Sequence, residues 1–159
     1  MGVEVERKFL VVDDSWRSAV TSQTRIVQGY IAQTGTATVR VRVRGERGFL
    51  TLKGNSVGIA RSEFEYEVPV QDALEMLDEL AQGSAIDKVR HLVTVGGHVW
   101  EVDVFAGENA PLVMAEVELA NADEDFDRPD WAGQDVSDDA RYFNVNLARD
   151  PYSHWSTQP

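Results

Sequence analysis

Apolar and polar residues alternate with a period of two along most of this chain, and that period sets the predicted elements. Alternation over 3–11, 25–33, 37–44, 48–53, 61–69, 86–95, 98–105 and 112–120 predicts eight strands, because successive side chains of a strand point to opposite faces. Turn residues separate them: Thr34-Gly35, Gly45 to Gly48, Gly54 to Gly58, and Gly96-Gly97, a two-residue hairpin turn that needs positive φ. A helix is predicted over 70–82, with Asp72 in its first turn, Leu74, Leu77 and Leu80 as its apolar stripe, and Gly83 as its end. A shorter helix is predicted near 14–20, and 121–150 reads as irregular or partly helical, with Ser137-Asp138-Asp139 as a helix start. No repeat and no low-complexity linker interrupts the pattern, so a single domain is expected over 1–159, ending in an acidic, partly helical segment at 121–159. The expected fold class is mainly β (α+β): an eight-stranded antiparallel barrel with a few covering helices, since closure removes exposed strand edges.

The faces of these strands carry the chemistry. Glu4, Glu6 and Lys8 share one face of the first strand, and Arg40, Arg42 and Arg44 one face of the third. Arg61, Glu63, Glu65 and Glu67 line up against Phe64, Tyr66 and Val68; Lys53, Lys88, Arg90, Glu101, Asp103, Glu116 and Glu118 likewise oppose apolar neighbours. A barrel with an apolar inside and a charged outside is the plain interpretation of such strands. Two features favour the inverse. The charges come in like-signed blocks instead of mixed pairs, and almost every such position is ionised where a solvated strand would include Thr, Ser and Gln. Like-charge rows facing a low-dielectric tunnel repel unless something of opposite sign enters. Rows of bases ask for a polyanion, and rows of carboxylates for hard divalent cations such as Mg²⁺ or Mn²⁺. A polyphosphate carrying metal ions satisfies both.

Composition narrows this further. The 159 residues hold 15 Lys and Arg against 27 Asp and Glu, a net charge of −12, which argues against a nucleic-acid partner. Seven of those charges come from 121–140 alone, with eight acids and one base, expected to be a solvated face or loop. The absence of Cys removes disulfides, thiolate metal sites and a Cys nucleophile. His91, His98 and His154 lack metal-ligand spacing, and the four Trp are expected to pack. No P-loop and no G-x-S-x-G motif occurs. The start MGVEVERKFLV lacks the features of a secretory signal, and no apolar run could span a bilayer, so a cytoplasmic protein without a membrane partner is expected.

The opening Val3-Glu4-Val5-Glu6-Arg7-Lys8 contains an E-x-E-x-K signature, followed in order by QGYI (28–31), VRVR (39–42), LTLKG (50–54), RSEFEYEVP (61–69), DKVR (87–90), WEVDVF (100–105), AEVEL (115–119) and WAGQDVSDDARYFN (131–144). On these blocks the chain resembles the CYTH superfamily, the triphosphate tunnel metalloenzymes, and in particular its compact forms that act on inorganic triphosphate. The resemblance implies an eight-stranded tunnel and metal-dependent hydrolysis of inorganic triphosphate with release of phosphate. It implies that Lys8, Arg40, Arg42, Lys53, Arg61, Lys88 and Arg90 bind the triphosphate. By the same carry-over Glu4, Glu6, Glu116 and Glu118 hold the metals, two ions of Mg²⁺ or Mn²⁺. Asp103 is a further metal candidate, and Glu63, Glu65 and Glu101 are supporting acids. Glu4 and Glu6 are also candidate catalytic groups, orienting hydrated metal. Lys88 is the candidate for proton transfer, beside the simpler role of clamping charge. Tyr30, in the QGYI block, is a further candidate; Arg44 and Glu67 are set aside as strand-end residues. Alternatives are an adenylate cyclase, a phosphohydrolase of nucleotide or thiamine triphosphate, and a polyphosphate-binding module without turnover. A monomer or homodimer is expected. In the empty site the carboxylates Glu4, Glu6, Glu116 and Glu118 are expected to repel one another, so that Glu116→Gln would leave the unliganded fold at least as stable.

Overall fold

A computed structural model describes residues 2–155; Met1 and residues 156–159, part of the expected single domain, lie outside them. Nine strands form: β1 (Gly2–Val11), β2 (Val20–Gln33), β3 (Ala37–Arg44), β4 (Arg47–Gly54), β5 (Ala60–Val68), β6 (Gln82–Val95), β7 (His98–Phe105), β8 (Val113–Glu118) and β9 (Ala132–Asp135). Two α-helices accompany them, α1 (Val70–Glu79) and α2 (Asn144–Arg149). The first eight strands make a closed antiparallel barrel in the order β5-β4-β3-β2-β6-β7-β8-β1, with β1 pairing back on β5. Closure uses only half of β1: Gly2 to Val5 pair with β5, whereas Phe9 and Val11 pair with β9. The short β9, which alternation did not predict, covers an edge that would otherwise be open.

The alternation placed the strands well, and the differences have local causes. β2 begins at Val20, directly after the short helix expected near 14–20, which is a 3₁₀ helix over Ser15–Ala19, and β6 begins at Gln82. Those early residues pair with each other's strands, Val20 with Val93 and Tyr30 with Gln82, a pairing that no local pattern announces. The helix α1 stops three residues short of its predicted end, and of its predicted stripe only Leu77 packs inward, half-buried against Gly29. Ala73 is buried, whereas Leu74 and Leu80 are exposed. Its approach to the barrel is close: a Cβ added to Gly48 would lie 2.8 Å from that of Ala73. Gly83 does not end the helix. It lies in β6 at φ +71°, where a side chain would meet the Ala148 carbonyl oxygen at 2.5 Å, so it is the contact point for α2. The Gly96-Gly97 turn joins Val95 to His98 as predicted, with φ +59° at Gly96.

Two apolar cores flank the charged interior. One lies outside the wall of β6, β7, β8 and β1, where Phe9, Val93, Trp100, Val102 and Val117 are covered by Trp16, Trp131 and Phe126. The acidic 121–140 segment is thus more than a solvated loop: its aromatic residues seal this wall while most of its acids stay in water. His91 sits under the same cover, its ring 4.9 Å from that of Trp16. The second core closes one end of the bore. The inward rows of β1, β6, β7 and β8 change there from charged to apolar, at Leu10, Ile86, Phe105 and Met114, which pack against Tyr142, Val145 and Leu147. Each such side chain contributes about 1.5–3 kcal/mol on burial. Among the described residues no helix is long and apolar enough to cross a membrane.

Candidate functional site

The interior of the barrel is a cavity of about 200 Å³ lined mostly by charged side chains. The inverse interpretation of the strand faces therefore holds, and parity explains how. The register sets Lys8 opposite Glu116, Arg90 opposite Asp103 and Lys53 opposite Glu63, whereas Glu6 faces Glu118 and Glu101 faces Glu116. Every predicted site residue lines the cavity except Asp103, which lies fully buried behind Lys88 and Arg90. Arg44, set aside as a strand-end residue, lines it too, its side chain stacked 4.4 Å from the Phe49 ring. Glu67 is outside, paired with Arg47.

The charges are sorted around the bore. Four adjacent strands, β4, β3, β2 and β6, contribute Lys53, Arg40, Arg42, Arg44, Lys88 and Arg90 and no lining acid. The other four, β7, β8, β1 and β5, contribute Glu101, Glu116, Glu118, Glu4, Glu6, Glu63 and Glu65, with Lys8 and Arg61 as the only lining bases. A basic arc thus faces an acidic arc. Where the two meet they are cross-linked. Lys53 Nζ lies 2.9 Å from Glu4 Oε2, and Arg61 Nε 3.3 Å from Glu4 Oε1. Arg90 Nε lies 2.9 Å from Asp103 Oδ1, its Nη1 3.1 Å from Glu101, and Lys88 Nζ 2.8 Å from Asp103 Oδ2. Arg40 donates to Thr51 at 3.2 Å and to Glu65 at 3.3 Å, leaving its buried Nε without a protein partner. Lys8 Nζ sits between Glu116 at 3.1 Å and Glu6 at 3.3 Å. Such buried pairs are weak sources of stability, because desolvation offsets much of their attraction. Their consequence is a pre-positioned set of donors and acceptors.

The carboxylates of the acidic arc are not equivalent. Burial pushes Glu4 upward, but Lys53 and Arg61 outweigh it and leave its pKa at about 2. Burial likewise opposes the charge of Glu116, yet Lys8, Arg90 and Lys88 hold it well below the usual carboxylate range. Glu6 is the reverse case: burial, reinforced by the Glu116 charge, raises it to about 8. Burial also raises Glu101 and Glu118. On the basic side, burial lowers Lys88 to about 8, aided by Arg90 and Arg42 and opposed by Asp103. With no ligand bound, Glu6 therefore holds a proton near neutral pH.

A pH-dependent stability follows. The folded protein holds the Glu6 proton more tightly than the unfolded chain, whose carboxyl titrates near 4.5. That contribution is complete below the unfolded value and is lost as pH rises through about 8. Melting temperatures of the unliganded protein should fall between about pH 5 and 9, and more steeply than those of Glu6→Gln. Parallel slopes for the two proteins would remove Glu6 as the source.

The described residues include no group of three or more His, Asp or Glu side chains arranged to hold a metal ion by themselves. Sequence reasoning also missed part of the site. Gln28, Thr38 and three consecutive residues of the C-terminal segment, Phe143, Asn144 and Val145, line the cavity. Asn144 Oδ1 accepts from Lys88 Nζ at 2.9 Å and from Gln28 Nε2 at 3.2 Å, and the Phe143 ring lies 5.8 Å from Lys8 Nζ. Tyr30 does reach the cavity, its hydroxyl accepting from Gln28 at 2.9 Å. Gln28 was legible in principle, being two residues from Tyr30 on a strand. Nothing in the periodicity marks Asn144.

Known proteins share this sequence pattern and this fold. The sequence pattern of the CYTH domain matches residues 2–152. An inorganic triphosphatase of Acetivibrio thermocellus is 44% identical over 155 residues, covering 98% of this chain and 99% of that one. An inorganic triphosphatase of Nitrosomonas europaea is 36% identical over 149 residues, covering 91% and 96%. Among solved structures, the crystal structure of an inorganic triphosphatase superposes with a TM-score of 0.65 at 34% identity, covering 93% of this chain and 95% of that one. With a charged bore inside an eight-stranded barrel and a match over nearly its whole length, this chain belongs to the CYTH domain family.

Proposed function

We propose that the protein hydrolyses inorganic triphosphate, releasing phosphate, with a divalent cation as cofactor. The observation that carries this reading is the division of the bore into a basic and an acidic arc. A triphosphate alone would suit the first and be repelled by the second. A triphosphate accompanied by metal ions would suit both, the bases holding the phosphate oxygens and the carboxylates the cations. The relatives that match over nearly their full length are named inorganic triphosphatases.

The donor chemistry fits a hard cation. Mg²⁺ characteristically takes one or two carboxylates and completes its shell with water and substrate phosphates, so a closed cage of three protein ligands is not needed. Glu4, Glu6, Glu116 and Glu118 supply only oxygen, on the adjacent strands β1 and β8, with Glu6 opposite Glu118 in the register. We assign these four to Mg²⁺ or Mn²⁺, two ions in all. When bound, the cation offsets phosphate charge and lowers the pKa of water. Asp103 we assign differently: both its oxygens are taken by Arg90 and Lys88, so it orients bases.

The residues of the chain do the rest. Arg40, Arg42, Lys53, Arg61, Lys88, Arg90 and Lys8 bind phosphate oxygens and hold the scissile anhydride in line with an attacking water. Arg44 extends this row toward the strand end. Glu63, Glu65 and Glu101 steady Lys53, Arg40 and Arg90, at 3.3, 3.3 and 3.1 Å. Lys88, charged at neutral pH but with a lowered pKa, clamps the chain and can give a proton to the departing phosphate.

Purified protein incubated with tripolyphosphate and with ATP, in Mg²⁺ or Mn²⁺ and in excess chelator, tests the reading. Phosphate release from tripolyphosphate should require the cation and exceed release from ATP. Equal turnover of the two, or activity that survives chelator, would sink it. Cyclic AMP formed from ATP would instead identify a cyclase, and binding without turnover a polyphosphate-binding module.

A further inference from the structure

We propose that Asn144 is a positioning residue for phosphate binding: its amide oxygen, carried by the segment that seals the barrel, orients Lys88 directly and Arg42 through Gln28. The proposal rests on the triphosphatase reading and extends its site beyond the barrel strands.

The hydrogen bonds form one chain with every atom assigned. Asn144 opens α2 and is buried, between Phe143 and Val145, at the closed end of the bore. Its Oδ1 accepts from Lys88 Nζ and from Gln28 Nε2. Gln28 gives its other amide hydrogen to the Tyr30 hydroxyl at 2.9 Å, and its Oε1 accepts from Arg42 Nε at 2.7 Å. An amide has two hydrogens and one oxygen, so these bonds fix which way Gln28 faces. With Nε committed, the planar guanidinium of Arg42 is held in one orientation. Lys88 Nζ donates one hydrogen to Asn144 and lies 2.8 Å from Asp103 in an ion pair, which leaves donor capacity for a ligand.

The choice of residue type fits this task. A neutral acceptor aims two bases without cancelling their charge. A carboxylate at 144 would keep the shape and the acceptors but add an anion at hydrogen-bond distance from Lys88, where it would compete with phosphate. The seal itself could be made by apolar residues alone, as Tyr142, Val145 and Leu147 already make the core beneath it. An amide at this point answers to the bases.

The test uses tripolyphosphate binding by calorimetry in chelator, with steady-state kinetics in Mg²⁺ and thermal melts alongside. Asn144→Ala should weaken binding about tenfold, the size of a lost hydrogen bond to a charged group, and raise KM more than it lowers kcat. Asn144→Asp should weaken binding at least as much while leaving the melt close to wild type, and it carries the test if the Ala variant folds poorly. Gln28→Leu should resemble Asn144→Ala, and the double variant should be little worse than either, because both break one chain. Wild-type affinity in both Asn144 variants overturns the proposal, as does full additivity with Gln28→Leu. If the wild type binds tripolyphosphate without turnover, the hydrolase reading fails and the affinities still decide Asn144. If it turns over and the variants match it, only the Asn144 proposal fails. If it neither binds nor turns over tripolyphosphate, both fail.

Discussion

Glu6→Gln should lose at least ~10²-fold in tripolyphosphate turnover, the scale of removing one preorganised electrostatic contact, and yet melt no lower than wild type in the absence of ligand. The two halves of this result have one cause. Near neutral pH the empty site already holds a proton on Glu6, whose pKa of about 8 reflects burial and the neighbouring Glu116. A glutamine copies that protonated form, so the unliganded fold loses little, and Lys8 keeps its contact with Glu116 at 3.1 Å. The liganded state is different, because a cation must displace the proton and a glutamine cannot become an anion. Metal with triphosphate should raise the wild-type melting temperature by mass action, and the increment should shrink in the variant. A variant that melts much earlier yet turns over at full rate would make Glu6 a structural partner of Lys8 only. The same reasoning reverses the expectation for Glu116. Lys8, Arg90 and Lys88 hold it well below the usual carboxylate range, so Glu116→Gln would strip a buried lysine of its main partner and should destabilise the empty fold.

Asp103→Ala should cause the largest loss of stability, about 3–5 kcal/mol, because it leaves Lys88 and Arg90 buried side by side with their shared anion gone. For a chain of this length that corresponds to a fall on the order of 10 °C in melting temperature. Tripolyphosphate in chelator should restore part of it, and raise the melting temperature of the variant more than that of wild type, since the added anion replaces the missing one. A melt within a degree or two of wild type would show that Lys88 and Arg90 find other partners, and that the carboxylate is not what holds them.

Much of the site could be read from strand parity. Glu4, Glu6 and Lys8 share a face whatever the strand is paired with, and the same holds for Arg40 with Arg42, Lys88 with Arg90, and Glu116 with Glu118. Parity also contained a signal that is easily overlooked. Each of four charged rows continues into one apolar residue, Lys8 into Leu10, Lys88 into Ile86, Asp103 into Phe105 and Glu116 into Met114, and these form the closed end of the bore. The difference between Glu6 and Glu116 was not legible. It depends on Arg90 and Lys88 of β6, which join Lys8 in holding Glu116 low, whereas Glu6 has Glu116 and Glu4 raising it against Lys8 and Lys53.

The sequence by itself therefore determined which side chains stand together on one face, because the pleat reverses direction at every residue and needs no information from elsewhere in the chain. The like-signed rows already favoured the charged face inside, and the tertiary structure settled it. That choice depends on covering the apolar outer wall with Trp16, Phe126 and Trp131, and on β1 closing the ring against β5. It also decided that basic strands adjoin basic strands and acidic strands acidic ones, and that Asn144, more than 50 residues from Lys88 in sequence, completes the hydrogen bonds of the closed end. These are long-range pairings, fixed by the total area buried when the barrel closes, and no local window of residues contains that sum.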